Sequence, residues 1–292
     1  MASKVYCSTK VNTKIISFDK KADEKIVYHY TSQDVLCKLF SSLKEEEINK
    51  NSCLDFWATS IMYLNDETEY SFFENKLRHD LEIYMEEHHP AEKGLLRNFP
   101  HLFLRDIFIP PSIISLSENN DYLPMWKMYG NNAKGVCIGF SLNKLKEYFE
   151  VNKCEYTSFD EEDRFSIDYL EKIYMHLKGC AISENQIIPY DGAFAEFNNT
   201  FLIKNKEYAY ENEWRIHLQD SKYDFIIKDD IIKPHVIAKI PLSCMRSITL
   251  GPDIKNKKVS LSAIRLLLGT KIGKKNASQI ECKLSERNYR DI

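Results

Sequence analysis

The sequence has no C-x-x-C pair, no Gly/Ser-rich linker, no internal repeat and no apolar stretch in its N-terminal "MASKVYCSTKVNTK". It also lacks any apolar run approaching the roughly 18 residues that a membrane helix needs. Each absence narrows the possibilities. Without a hydrophobic leader or span, the chain is expected to be cytoplasmic, with no membrane partner. Without paired spacing, the cysteines at 7, 37, 53, 137, 154, 180, 244 and 282 read as reduced core thiols, mostly set in apolar runs such as "GVCIGF", and not as disulfides or zinc ligands. Neither sign of charge dominates: 40 Lys and Arg stand against 43 Asp and Glu, a formal net charge of -3, so nothing global points to a polyanionic partner. G-x-G-x-x-G, Walker A and G-x-S-x-G elements are missing too, which argues against Rossmann dehydrogenases, P-loop NTPases and α/β-hydrolases.

What is present is material for a substantial core: 292 residues, 43% hydrophobic and 12% aromatic. The patterning alternates strands with long helical segments. "IVYHY" at 26–30 predicts a strand, and Ser32 predicts the N-cap of an amphipathic helix from Gln33 to Leu43. "LDFWATS" at 54–60 predicts a second strand, leading into a helix in which Tyr70, Phe73, Leu77, Leu81 and Tyr84 recur at three- and four-residue steps. Asp66 and Glu69 fit a capping box at its start. A further helical stretch runs from Pro90 to about Phe108, closed by Pro110-Pro111 before the strand "PSIISLSE". "DYLPMWKMYG" predicts a helical turn, "KGVCIGFS" at 134–141 a central strand, and "LNKLKEYFE" a brief helix. Residues 160–209 read as helical with a break at "IIPYDG". Strands follow at 213–219, 236–241, 246–250 and 278–283, with a helix at 258–269 and a solvated loop at 271–278. Strands bracketing helical insertions predict an α+β fold built on a central mixed or split sheet. The expected organisation is an N-terminal extension over 1–25 and a single domain over 26–292.

The stretch "YENEWRIHLQD" at 210–220 places Glu211, Glu213 and Arg215 at alternate positions of an expected strand, with Trp214 on the opposite face. Taken alone, this is consistent with an exposed Glu213–Arg215 ion pair worth under about 1 kcal/mol over a packing tryptophan. Ser115 and Ser117 likewise alternate around Leu116. His29 is flanked by Tyr28 and Tyr30, and a lone strand histidine is more often structural. "LNDETEY" offers Asn65, Asp66 and Glu69 to a metal, but the capping box explains them without an ion, and a metal-dependent nuclease finds too few converging ligands. His88-His89 before Pro90 reads as a solvated helix end.

Together, "VYHYTS", "WATSIMYLNDETEY", "IISLSENNDYLPMW", "GVCIGF" and "YENEWR" resemble the bacterial domain-of-unknown-function family twenty-nine seventy-one, over most of residues 26 to 283. Members of that family look distantly similar to ADP-ribosyltransferases. The resemblance implies a transferase-like split sheet with NAD as substrate, no metal, and an unidentified protein or nucleic-acid acceptor. It implies catalytic roles for Glu213 and Glu211, with Ser115 and Ser117 propping the acid. His29, Thr31 and Ser32 would contact the dinucleotide, and Arg215 would neutralise a carboxylate or reach a phosphate. Trp57, Tyr63, Trp126 and Tyr129 are the aromatics available to stack on nicotinamide. The chemistry suits a fixed carboxylate, because cleaving the nicotinamide–ribose bond develops positive charge on the ribose. Such an enzyme would be a toxin or anti-phage defence effector; the alternative is an inactive nucleotide-binding sensor or partner in a defence system, a possibility kept open by the lack of an arginine on the first strand.

Overall fold

The structure, a computed structural model, describes residues 16, 18, 24–64, 67–103, 111–182, 201–218, 222–228 and 230–288. The predicted helical tail from 104 to 108, Pro110, the break at "IIPYDG", the capping-box Asp66 and Asn65, and most of the N-terminal extension lie outside the described residues. The strands in chain order are β1 (Ile26–Thr31), β2 (Cys53–Ser60), β3 (Ser112–Ser117), β4 (Val136–Ser141), β5 (Val151–Lys153), β6 (Glu155–Thr157), β7 (Ile203–Asn205), β8 (Glu213–Leu218), β9 (Asp224–Lys228), β10 (Ile231–Pro241), β11 (Met245–Leu250) and β12 (Glu281–Leu284). The α-helices are α1 (Gln33–Ser41), α2 (Glu67–His88), α3 (Leu123–Met128), α4 (Leu142–Leu145), α5 (Ile167–Ile182), α6 (Lys257–Ile272) and α7 (Lys274–Ala277). The fold is α+β with a large mixed sheet.

Several sequence expectations need correction. The stretch read as helical up to 209 contains β7, followed by a 3₁₀ segment over Lys206–Glu211. β5, β6 and β9 were not anticipated; each is only three to five residues long, too short for a periodicity to register. The supposed solvated loop at 271–278 is instead the end of α6 and α7. There Asn276 is buried: its Oδ1 accepts from the Ile16 amide at 3.0 Å and its Nδ2 donates to the Ile272 carbonyl at 2.8 Å.

The chain divides into two compact units. One comprises 1–56, 116–149 and 238–292, the other 57–115 and 150–237. In the first, β4 lies between β1 and β11, antiparallel to both, and β12 pairs parallel to β11. All six residues of β4 are buried, as a strand with neighbours on both edges and covered faces requires. Gly139 is closely packed there: a Cβ would come within 2.4 Å of Ser247 Oγ, which would have to move to admit it. Ser32 caps α1 by accepting from the Val35 amide at 3.1 Å, and Leu36, Leu39 and Phe40 form its buried stripe.

In the second unit, α2 and α5 pack with the 3₁₀ segment Pro90–Phe103 through Phe73, Leu77, Leu81, Phe99, Ile173 and Leu177, at the helical spacing that periodicity predicts. Within that helical layer Lys76 and Asp80 are both fully buried, bonded at 2.6 Å, and Asp80 also accepts from the Phe165 amide at 2.9 Å. β5 pairs antiparallel with β8, placing Asn152 opposite Arg215 and Lys153 opposite Trp214. β6 and β7 form a separate parallel pair, and β9 and β10 an antiparallel hairpin.

Candidate functional site

Strand alternation sends Glu213 and Arg215 to one side of β8 and Trp214 to the other. The buried side is the charged one: Glu213 is 3% and Arg215 1% exposed, whereas Trp214 is only half-buried. This inverts the packing expected for the indole and removes the exposed ion pair as a description. Glu211 is not on the strand. It ends the 3₁₀ segment, and Asn212 follows in the left-handed region (φ 44°, ψ 53°). That kink replaces strand alternation in bringing the two acids together on one ammonium: Lys204 Nζ donates to Glu211 at 2.6 Å and to Glu213 at 2.9 Å.

Arg215 completes the cluster. Its Nε donates to Glu213 Oε1 and its Nη2 to Glu213 Oε2, each at 2.9 Å, a forked pairing suited to the planar guanidinium. It also bonds the Phe201 carbonyl and the carboxylate of Glu69, which reaches in from α2. Glu69 is therefore a member of the cluster; Asp66, its expected capping-box partner, lies outside the described residues. The second oxygen of Glu69 lies 3.9 Å from Lys204 Nζ. The Glu213 amide donates to Tyr156 Oη at 2.8 Å and its carbonyl accepts from the Cys154 amide at 2.9 Å, so β5 and β6 fix the backbone around the acid. Lys204 also lies 5.0 Å from the ring centroid of Tyr208. The hydroxyl of Ser115 bonds Glu213, and Ser115 is exposed where its strand neighbours are buried.

The protonation equilibria diverge within this small volume. For Glu213, burial works against ionisation, but Arg215 and Lys204 outweigh it, and with bonds from Arg215 and Ser115 they hold the carboxyl at about 2. Glu69 goes the other way: burial dominates over Arg215 and Lys204, Glu213 adds repulsion, and the carboxyl is raised above its usual range. Burial disfavours the Lys204 ammonium, yet Glu213, Glu69 and Glu211 more than compensate and raise its pKa. Three carboxylates face two cations here, so the fully ionised cluster carries one net negative charge.

Of the residues singled out from sequence, Glu211, Glu213, Arg215 and Ser115 meet in this cluster. Trp57 belongs to the same unit, on β2, half exposed and tilted against His235 with ring centroids 4.5 Å apart. Tyr63, at the end of the 3₁₀ segment Ile61–Tyr63, is in that unit too, whereas His29, Thr31, Ser32, Ser117, Trp126 and Tyr129 lie in the other. His29 meets Phe56 edge-on at 5.4 Å. Thr31 ends β1, opposite Val136 of β4. Ser32 is engaged as the α1 cap. Ser117 is buried and accepts from the Asn119 amide at 3.0 Å. Trp126 is a core residue: fully buried, edge-on to Tyr30 at 4.9 Å, its indole N–H donating to Asp121 at 2.7 Å. Tyr129 packs half-buried against that cluster. Sequence reasoning missed Lys204 entirely; its one trace is a lysine closing the apolar run "FLIK". Among the described residues no group of three or more His, Cys, Asp or Glu side chains is arranged to hold a metal ion, and no helix is long and apolar enough to cross a membrane.

Residues 125–216 match the model of a family described as "Protein of unknown function (DUF2971)". This is less than half of the chain; it includes Lys204, Glu211, Glu213 and Arg215 and excludes Glu69 and Ser115. No curated protein and no solved structure matches the sequence.

Proposed function

We propose that this protein is an ADP-ribosyltransferase-like enzyme that cleaves the nicotinamide–ribose bond of NAD and passes ADP-ribose to a protein or nucleic-acid acceptor, in the service of a toxin or an anti-phage defence. The observation that carries this reading is the contact between an exposed hydroxyl, Ser115, and a carboxylate, Glu213, that two cations keep ionised and immobile. A reactant resting at Ser115 would lie beside a fixed negative charge. In the reaction, the C1′–N bond breaks with its electron pair leaving on nicotinamide, and the ribose passes through an oxocarbenium-like state. An anion already oriented by Arg215 stabilises that charge without reorganising. Glu211, on the same ammonium as Glu213, is the carboxylate available to orient an acceptor hydroxyl or amine and take its proton as the new bond to C1′ forms.

One observation favours a second reading, nucleotide binding without turnover in a sensor or partner module: both oxygens of Glu213 are already engaged by Arg215 and Lys204. Incubation with adenine-labelled NAD separates the two. The enzyme releases nicotinamide, and Glu213→Gln, which leaves two carboxylates facing two cations, loses release by orders of magnitude. Ser115→Ala, at an exposed position, lowers release with little change in stability. Saturable NAD binding with equal, negligible release from wild type and Glu213→Gln supports the binder, and absence of both binding and release overturns both readings.

A further inference from the structure

Among the described strands, β9 pairs only with β10 and ends the sheet. The register sets Ile232 opposite Ile227 and Pro234 opposite Phe225. Cross-strand partners share a face, and this face is apolar and open: Phe225 is 67%, Ile227 73% and Ile232 63% exposed. An apolar edge strand with one edge open, as β9 is among the described residues, is a template for another strand. The sequence of β9, "DFIIK", also specifies which one.

We propose that β9 is a homodimerisation edge, on which a second copy of this chain pairs its own β9 antiparallel about a two-fold axis at Ile226. In that register Asp224 faces the partner subunit's Lys228, and Lys228 faces the partner subunit's Asp224. Phe225 faces the partner subunit's Ile227 in the same reciprocal way. Positions of opposite formal charge are therefore in register at both ends, with aromatic and β-branched positions between them, combinations that stabilise antiparallel pairs. Edge strands that avoid self-pairing commonly carry charges that repel on approach; here the terminal charges attract. The isologous contact closes on itself and leaves no further free β9 edge, so it ends at two copies. Antiparallel ladders admit a two-fold axis through either class of residue pair, so Ile226 can serve as its centre.

The test is sedimentation velocity on the full chain over roughly a hundredfold range of concentration at low salt. Wild type is expected to pass from monomer to dimer. Asp224→Lys, which places lysine against lysine at both ends, and Lys228→Asp, which places aspartate against aspartate, each weaken the dimer by at least about tenfold. The exchange Asp224→Lys/Lys228→Asp restores it. Far-UV circular dichroism monitors folding of the variants. A monomer throughout, a dimer indifferent to both single changes, or failure of the exchange to restore association in folded protein overturns the proposal.

Discussion

Replacing Arg215 with methionine keeps much of the side-chain volume and removes the charge that holds the cluster together. The wild-type guanidinium bonds both oxygens of Glu213, the carboxylate of Glu69 and the Phe201 carbonyl while 1% exposed. In the variant, three carboxylates face Lys204 alone. Removing one partner of a buried ion pair costs roughly 3–5 kcal/mol, which for a urea slope of about 3 kcal/mol/M lowers the unfolding midpoint by roughly 1–1.7 M. The loss must also depend on pH. Glu213 titrates at about 2 against an ordinary 4.5. Because its folded value is depressed, its contribution is complete above the unfolded value and is lost as pH falls toward 2, a span of 4.5 less 2 units that corresponds to at most about 3 kcal/mol. Glu69, raised by burial, has the opposite sign: it adds stability at low pH and withdraws it as pH climbs past 4.5. The penalty for Arg215→Met should therefore be largest near neutrality and shrink below pH 4.5 as the abandoned carboxylates take up protons. Urea titrations at pH 7 and pH 4 measure it. A pH-independent penalty below about 1 kcal/mol would mean that these charges behave as a solvated surface pair, and the ionised-cluster argument would fail.

Other perturbations probe the same framework. Glu69→Gln removes the surplus anion while leaving an amide oxygen for Arg215, so stability at pH 8 should be unchanged or higher by up to about 1 kcal/mol, with no gain at pH 4; a clear loss at pH 8 contradicts the raised carboxyl. Asn212→Gly should be tolerated at its left-handed φ, whereas Asn212→Val should cost about 1–2 kcal/mol and, if the kink aligns the acids, depress any nicotinamide release with it. Lys76→Met strands the buried Asp80 carboxylate and should cost roughly 3–5 kcal/mol, much of which Lys76→Met/Asp80→Leu recovers; thermal unfolding of the single and double variants decides it.

The long elements were legible because their patterns are long. The recurrence Phe73, Leu77, Leu81, Tyr84 gave α2, the uninterrupted apolar "GVCIGF" gave the fully buried β4, and Ser32 gave the α1 cap through the local chemistry of a free amide. β9 was illegible for the converse reason: three apolar residues between charges carry no period. Ser115, Glu211, Glu213 and Arg215 could be picked out as chemistry-bearing residues, but the geometry that unites them could not. Glu211 reaches Lys204 through a left-handed Asn212, where strand alternation was the expectation. Glu69 comes from a helix more than 140 positions away from Arg215, and a contact at that separation leaves no spacing to read.

Burial of Glu69, Lys204, Glu211, Glu213 and Arg215 is hard to account for by stability alone. Desolvating such ions costs several kcal/mol apiece, and well-packed apolar residues of similar volume often hold a fold as firmly or more so. What the ions supply that apolar groups cannot is divergence of protonation state: Glu213 fixed as an anion far below neutrality and Glu69, bonded to the same guanidinium, more easily protonated than an ordinary carboxyl. Carboxyls driven apart in this way are the arrangement from which acid and base roles are drawn in one site. The fixed anion reaches the outside at Ser115, the exposed residue bonded to it. Chemistry or binding should therefore respond to substitutions at Ser115 and Glu213 together, with the double variant losing no more than the worse single one. Independent, additive losses would assign the two residues to separate tasks and leave the cluster a purely structural clasp.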